Sequence, residues 1–323
     1  MNYQRIPLTL FLGLLFSCAC LQVQAQNLRA ATASSYIERG NQWFAKGEYA
    51  RAEADFALAI ATDPGQAKAH YNRAITRFHL RKLNEALTDF DRALQLNPQL
   101  VMAYVDRAGT RYLLGDWEGV IGDCDQAIVL NPKVALAWVN RGLAHGRKGD
   151  HAGAVADFDR AVKLDPRNAG IYNNRGVARF RLNDYDGAIS DQTRALKLRP
   201  DFVEALSDRG SARQLKGDLD GALADYEQAM RLKPRFADVW YNRATWWQRK
   251  EEWSRAEADF TQHIALRPQH ADAYALRGIM RLRQGRADEA QQDFDQCLKL
   301  DQRLRPALAA LIEKVKQQMA RDQ

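Results

Sequence analysis

The chain has 323 residues, 46% of them hydrophobic and 27% charged, which describes a foldable chain rather than a disordered one. Net charge is +7, from 47 basic and 40 acidic residues, with both signs dense and interspersed. That balance excludes a strongly single-signed surface and is no evidence for nucleic-acid binding.

The first 25 residues differ in kind from the rest. Arg5 supplies a positive charge, and Ile6 to Leu21 are mostly apolar. Val23, Gln24 and Ala25 then place small or apolar residues where a signal peptidase cuts. Residues 1–25 therefore read as a secretory signal peptide, with cleavage after Ala25. Two other fates stay open. The apolar stretch, short for a membrane span, is retained as an anchor. Or Leu15-Phe16-Ser17-Cys18, which loosely resembles a lipobox, is lipidated at Cys18. The expected location is the periplasm or cell envelope.

Residues 26–30 form a short leader. From there the chain is ruled by proline at 64, 98, 132, 166, 200, 234 and 268, always 34 residues apart. A fixed period of this length signals a repeat architecture. Eight repeats run over residues 31–302, and slots 1 to 34 are numbered within each, ending on the proline. The eighth ends on Gln302 instead.

Within each repeat the helical faces are legible. Slot 6 is aromatic in six repeats, with His70 and Leu206 in the others. Slot 10 is Gly or Ala in all eight, which lets a neighbouring helix approach closely. Slot 17 is Gly47, Gly115, Gly149, Gly217, Gly285 or Asn183, residues that tolerate the left-handed conformation ending a helix. A second helix follows, with Ala at slot 22 in seven repeats, an aromatic at slot 26 in six and Leu at slot 32 in seven. The residue before each proline is pushed out of helical geometry, and the proline opens the next repeat. The expected fold is all-α: an α-solenoid of helix-turn-helix repeats, each unable to bury its apolar stripe alone. Residues 303–323 carry Leu308, Leu311, Ile312, Val315 and Met319 at helical spacing, a capping helix with a polar outer side.

These features resemble the tetratricopeptide repeat family over residues 31–302. The resemblance rests on the period, the aromatics at slots 6 and 26, small residues at slots 10 and 29, Ala at slot 22 and Pro at slot 34. It implies a right-handed superhelix whose concave groove is lined by the first helices. It also implies protein binding rather than catalysis. Arg81 and Glu251 at the turn slot, Gln192 at slot 26, and His263 and Cys297 at slot 29 depart from the pattern. They are expected to alter packing locally.

Two polar ladders stand out. Slot 9 is arginine and slot 25 aspartate in all eight repeats, including Arg73, Arg107, Arg141 and Arg175 with Asp89, Asp123, Asp157 and Asp191. Both slots sit at the edge of an apolar face, where a charge must be paired. They are expected to form ion pairs within or between adjacent repeats, with Arg77, Arg111, Arg179, Arg213 and Arg281 at slot 13 adding a second guanidinium. Slot 8 is the other ladder: Asn72, Asp106, Asn140, Asn174, Asp208 and Asn242. A carboxamide donates and accepts, which suits the backbone of a bound peptide. The resemblance carries that role onto Asn72, Asn140, Asn174 and Asn242. A basic row, Arg147, Arg181, Arg249 and Arg283, shares the stripe with Ile75, Met102, Leu113, Leu136, Leu143 and Val177. Trp246 is expected to be an exposed anchor for a partner and Trp247 a packing residue.

No Walker loop, dinucleotide fingerprint or metal motif is present in the sequence, and no cofactor is expected. Asp184 and Asp218 open acidic, glycine-containing loops that lack the bidentate acid of a calcium loop; they read as helix N-terminal acids. The expected function is a non-enzymatic scaffold that binds an extended or helical protein segment. The alternative is a lipid-tethered regulatory or carrier subunit that recruits an envelope enzyme.

Overall fold

The computed structural model describes the backbone of residues 8–322 and the side chains of Gln24 and residues 26–321. Met1 to Arg5, and the side chains of Cys18, Cys20 and Ala25, lie outside the described residues, as do the cleavage and lipidation expected of them. Among the described residues no helix is long and apolar enough to cross a membrane.

Two compact bodies divide between Leu164 and Asp165. The N-terminal body holds α1 (Leu8–Ala45), α2 (Tyr49–Thr62), α3 (Ala67–His79), α4 (Leu83–Leu96), α5 (Val101–Leu114), α6 (Trp117–Leu130), α7 (Ala135–Arg147) and α8 (His151–Leu164). The C-terminal body holds α9 (Ala169–Arg181), α10 (Tyr185–Leu198), α11 (Val203–Lys216), α12 (Leu219–Leu232), α13 (Ala237–Arg249), α14 (Trp253–Leu266), α15 (Ala271–Arg283), α16 (Ala287–Leu300) and α17 (Arg305–Asp322). No strand occurs among the described residues. In each body a repeat's two helices pack as a hairpin, and its second helix packs on the first helix of the next repeat. The leader is no separate segment: α1 runs unbroken into the first helix of repeat 1.

The turn slot explains why each hairpin closes. Slot 17 takes a left-handed backbone in all eight repeats, its five glycines running from φ 76° at Gly47 to φ 91° at Gly217. Arg81, Asn183 and Glu251 adopt it too, at φ 62°, 60° and 58°. Hairpin closure thus overrides side-chain preference at Arg81 and Glu251, at a cost of roughly 1–2 kcal/mol each. The next helix opens on an aspartate in four repeats: Asp116, Asp150, Asp184 and Asp218 accept from the backbone N–H three residues on, at 2.8–3.0 Å. Capping is what Asp184 and Asp218 do.

Slot 10 meets slot 26 at the waist of the hairpin. A methyl group on Gly142 would stand 2.9 Å from the Phe158 ring, so any larger residue here would force that ring to shift. The slot-22 alanines and Val120 are fully buried around this contact. Cys124 and Cys297 are free, buried small residues, and burial pushes the Cys124 thiol up to about 12. The last repeat closes on α17, whose Leu308 and Val315 are buried against Ile279, Cys297 and their neighbours. Glu313, Lys314, Lys316, Gln317 and Gln318 face solvent.

At the hairpin's edge sits the Arg–Asp pair. In every repeat the slot-25 aspartate is buried and accepts from Nε and Nη2 of the slot-9 arginine of the same repeat. For Arg141 and Asp157 the distances are 2.9 and 2.6 Å. Arg77, Arg111, Arg179 and Arg213 add a further donor to the same carboxylate at 2.8–2.9 Å. In the N-terminal body the spare Nη1 of Arg107 and Arg141 reaches back to Asp91 and Asp125 of the preceding repeat. Asp157→Ala strands a half-buried guanidinium and is expected to lower unfolding free energy by about 3–5 kcal/mol, read by denaturant titration. An unchanged midpoint would contradict a structural role for the pair.

Candidate functional site

The first helices of successive repeats touch one another on the face opposite the second helices: α3 meets α5 and α5 meets α7 in one body, α9 meets α11 and α11 meets α13 in the other. On this face each body carries one cavity built from the same slots.

The N-terminal cavity, of about 240 Å³, is framed by Ile75, Phe78, His79 and Phe90 from repeat 2, Asp106 and Gly109 from repeat 3, and Asn140 from repeat 4. Leu136 and Val105 complete its apolar walls. The C-terminal cavity, of about 220 Å³, takes Val177, Phe180, Arg181 and Gln192 from repeat 5, Asp208 and Ser211 from repeat 6, and Asn242 from repeat 7. Slots 11, 14, 15 and 26, then 8 and 11, then 8, recur in that order in both.

Slot 8 therefore lines both cavities, but it is not free. Asn72 donates to Asn41 Oδ1 at 2.8 Å, Asn140 to the Val105 carbonyl at 3.4 Å and Asn242 to Ser207 Oγ at 2.9 Å. Asp106 accepts from the Tyr71 hydroxyl at 2.7 Å. Each bond reaches the first helix of the preceding repeat, because a half-buried polar group next to that helix must be paired. One donor of each bonded asparagine is thus committed to stacking, and Asn140 and Asn242 keep a carbonyl oxygen and a second N–H for the cavities they line. Asn174 is half-buried on α9.

Asp208 is the perturbed group. Burial first, then the neighbouring carboxylates of Asp238 and Glu204, push its carboxyl up to about 7. The Asn173 side chain and Arg181 pull the other way. Around it, Asp238 is paired with Arg267 at 2.5 Å and Glu204 lies 3.9 Å from Lys233.

Arg147, Arg181 and Arg249 of the basic row are exposed, Arg283 is partly buried, and part of the row is engaged. Arg147 donates to the Tyr112 hydroxyl at 2.9 Å, and Arg249 to the Gln214 carbonyl at 2.8 Å. Met102, Leu113, Leu136 and Val177 are exposed on the same first helices, whereas Ile75 and Leu143 are partly buried.

Trp246 corrects an expectation. It is 4% exposed, and its indole N–H donates to the Leu219 carbonyl at 2.9 Å. Its slot faces the preceding repeat's second helix, as buried Thr76, Thr110 and Ala212 do elsewhere. Trp246 is a core residue and no partner anchor. Sequence reasoning also missed the cavity floor at Gln192, although its signal, a polar residue in an aromatic slot, was visible. Among the described residues no group of three or more His, Cys, Asp or Glu converges as a metal site.

The fold and its two cavities define an all-α repeat scaffold with side-chain cavities on its first-helix face. Tetratricopeptide repeat models match residues 114–169, 139–202 and 248–303, residues 67–100, and residues 210–245. Together they span more than half of the chain, which belongs to the tetratricopeptide repeat family. That fold is generally a non-enzymatic protein–protein interaction scaffold. No curated protein sequence matches the chain. Among solved structures, a tetratricopeptide repeat protein from Parabacteroides merdae is 19% identical, covering 77% of this chain and 99% of its own, with a TM-score of 0.62. PilF of Pseudomonas aeruginosa is 18% identical over 65% of this chain and 96% of its own, at 0.58. A repeat protein from Cytophaga hutchinsonii is 16% identical over 74% and 98%, at 0.57. At these identities the likeness is one of fold.

The raised Asp208 carboxyl makes stability depend on pH. The native state holds a proton there that the unfolded chain releases near pH 4, so this group destabilises the fold progressively as pH rises from about 4 to about 7. Asp208→Asn is expected to melt about 2–4 °C above the wild type at pH 8, with the gap shrinking below pH 5. A gap that is constant with pH would show that Asp208 titrates normally.

Proposed function

We propose that this chain holds a segment of a partner protein against its first-helix face and does so in the bacterial cell envelope. One observation carries the reading: two cavities of side-chain size recur at the same slots, one in each body. A face that served only to stack helices would have no reason to leave equivalent holes beside exposed Leu136 and Val177. Slot 8 supplies carboxamide and carboxylate groups at both cavities, Arg181 adds charge to one of them, and Arg147 and Arg249 end the first helices that carry Asn140 and Asn242. Mixed signs on one face suit a protein segment better than a polyphosphate chain.

The envelope location is supported by the apolar segment Ile6–Leu21 ahead of Val23-Gln24-Ala25. Cys18 favours a second reading, a lipid-tethered carrier that recruits an envelope enzyme. The mass of the protein purified from its own cells separates these: loss of residues 1–25 supports free export, and a diacylated Cys18 supports tethering.

The binding face is tested by capture. Full-length tagged protein is cross-linked in its own cells and compared with a Leu136→Glu, Asn140→Ala variant of matched melting temperature. The variant is expected to lose at least tenfold of one or more captured proteins. Identical captured sets would overturn the first-helix face as the binding surface.

A further inference from the structure

Repeat 5 departs from the rule that fills the waist of its neighbours. Where Phe56, Phe90, Phe158, Tyr226, Phe260 and Phe294 stand, it has Gln192. That side chain is fully buried, and neither its Oε1 nor its Nε2 has a hydrogen-bond partner. A buried amide left unpaired is costly, so retaining one calls for a partner from elsewhere. Gln192 lines the C-terminal cavity, which is open to the first-helix face.

The remaining walls say what that partner is. Val177 and Phe180 are apolar and suit an aliphatic stem. The polar groups are one carboxyl, one hydroxyl and two amides, with a single guanidinium, Arg181. Asp208 offers a carboxylate. Asn242 uses one N–H on Ser207 and presents its carbonyl oxygen and its second N–H. Ser211 uses its proton on the Ser207 carbonyl and presents its lone pairs. Glu204 and Asp238 deepen the negative field at Asp208, and Arg181 is the cation that opposes them.

We infer that this cavity receives a cationic side chain, lysine or arginine, its stem along Val177 and Phe180 and its charged end between Asp208 and Gln192. The inference rests on the reading of the first-helix face as a segment-binding surface. An anionic side chain would meet the Asp208 carboxyl, in the field of Glu204 and Asp238. An apolar one would leave Gln192 unpaired. A neutral amide would satisfy Gln192 but bring no charge to the carboxylate. The register-equivalent N-terminal cavity has Phe90 in place of Gln192 and is walled by Ile75 and Leu136, so it lacks this preference. A cation in the C-terminal cavity favours ionised Asp208, whose carboxyl otherwise titrates at about 7, so occupancy strengthens as pH rises through neutrality.

The probe is Nα-acetyl-lysine methylamide, titrated into the full chain while the side-chain amide resonances of Gln192 and Asn242 are followed by NMR. Norleucine and glutamine analogues are the comparators. The lysine probe is expected to shift both amides saturably at pH 8, with binding at least threefold weaker at pH 6, and the comparators to bind at least tenfold more weakly than the lysine probe. Gln192→Phe installs the residue of five other repeats and is expected to abolish the Asn242 shift while the protein stays folded. The inference is overturned by silence toward the lysine probe, by equal shifts with norleucine or glutamine, or by an unchanged response in Gln192→Phe. A single amino acid reads the cavity without any partner segment. Capture that depends on Leu136 and Asn140 with a silent probe removes the cavity's role alone. A saturable probe with variant-independent capture removes the segment-binding reading alone.

Discussion

The structure depends on one contact, the buried carboxylate at slot 25 held by the slot-9 guanidinium of its own repeat. It is made eight times, with two parallel N–H···O bonds, and the aspartates are 2–5% exposed. A lone buried carboxylate would be untenable; a bidentate, charge-assisted pair is stable and fixes the angle between the two helices. The same arginine lies over the slot-6 ring in six repeats, for instance 4.8 Å from the Trp138 ring centre. That ring in turn reaches the punctuating proline: Trp138 and Trp240 donate to the Pro132 and Pro234 carbonyls at 2.9 and 2.8 Å. Proline, aromatic, arginine and aspartate thus form one linked device per repeat. It ties the end of one repeat to both helices of the next.

Because this device lies at the second-helix side, the opposite side of each first helix is left free for other chemistry. Slot 8 shows how little freedom is needed. Asn140 and Asn242 spend one donor on the preceding repeat and still present a carbonyl oxygen to a cavity. Stacking and recognition therefore share residues, and substitution there is expected to touch both. Gln192 goes further. It trades the aromatic waist of its repeat for an unpaired amide and leaves Asp208, Arg181 and Asn242 around open space. Such a trade weakens packing, and it is the kind of local conflict that functional sites retain.

Much of this was legible in the residues because the repeat averages out noise. Eight copies of arginine and aspartate at fixed slots made an ion-pair ladder the natural expectation, and a 34-residue period made helix hairpins so. Arg81 and Glu251 were harder. Nothing in those side chains favours a left-handed backbone, and only the demand of hairpin closure puts them there. Trp246 was misjudged because its helical angle lies between two faces. The neighbouring second helix, invisible in a single helix projection, buries it and accepts its N–H. The slot-8 carboxamides suit a bound peptide, yet first helices lie close enough for the slot-8 side chains to bond across them. The cavities were not legible at all, since each is a void among three repeats rather than a property of one.

The central claim is a division of faces: ion pairs and second helices hold the stack, and first helices receive the partner. Site-specific photo-cross-linking measures it directly. A photoreactive residue replaces Val177, exposed on a first helix, or Val129, 77% exposed on a second helix, in the full-length chain in its own cells. The account predicts partner adducts from position 177 and none from position 129; adducts from position 129 alone would contradict it.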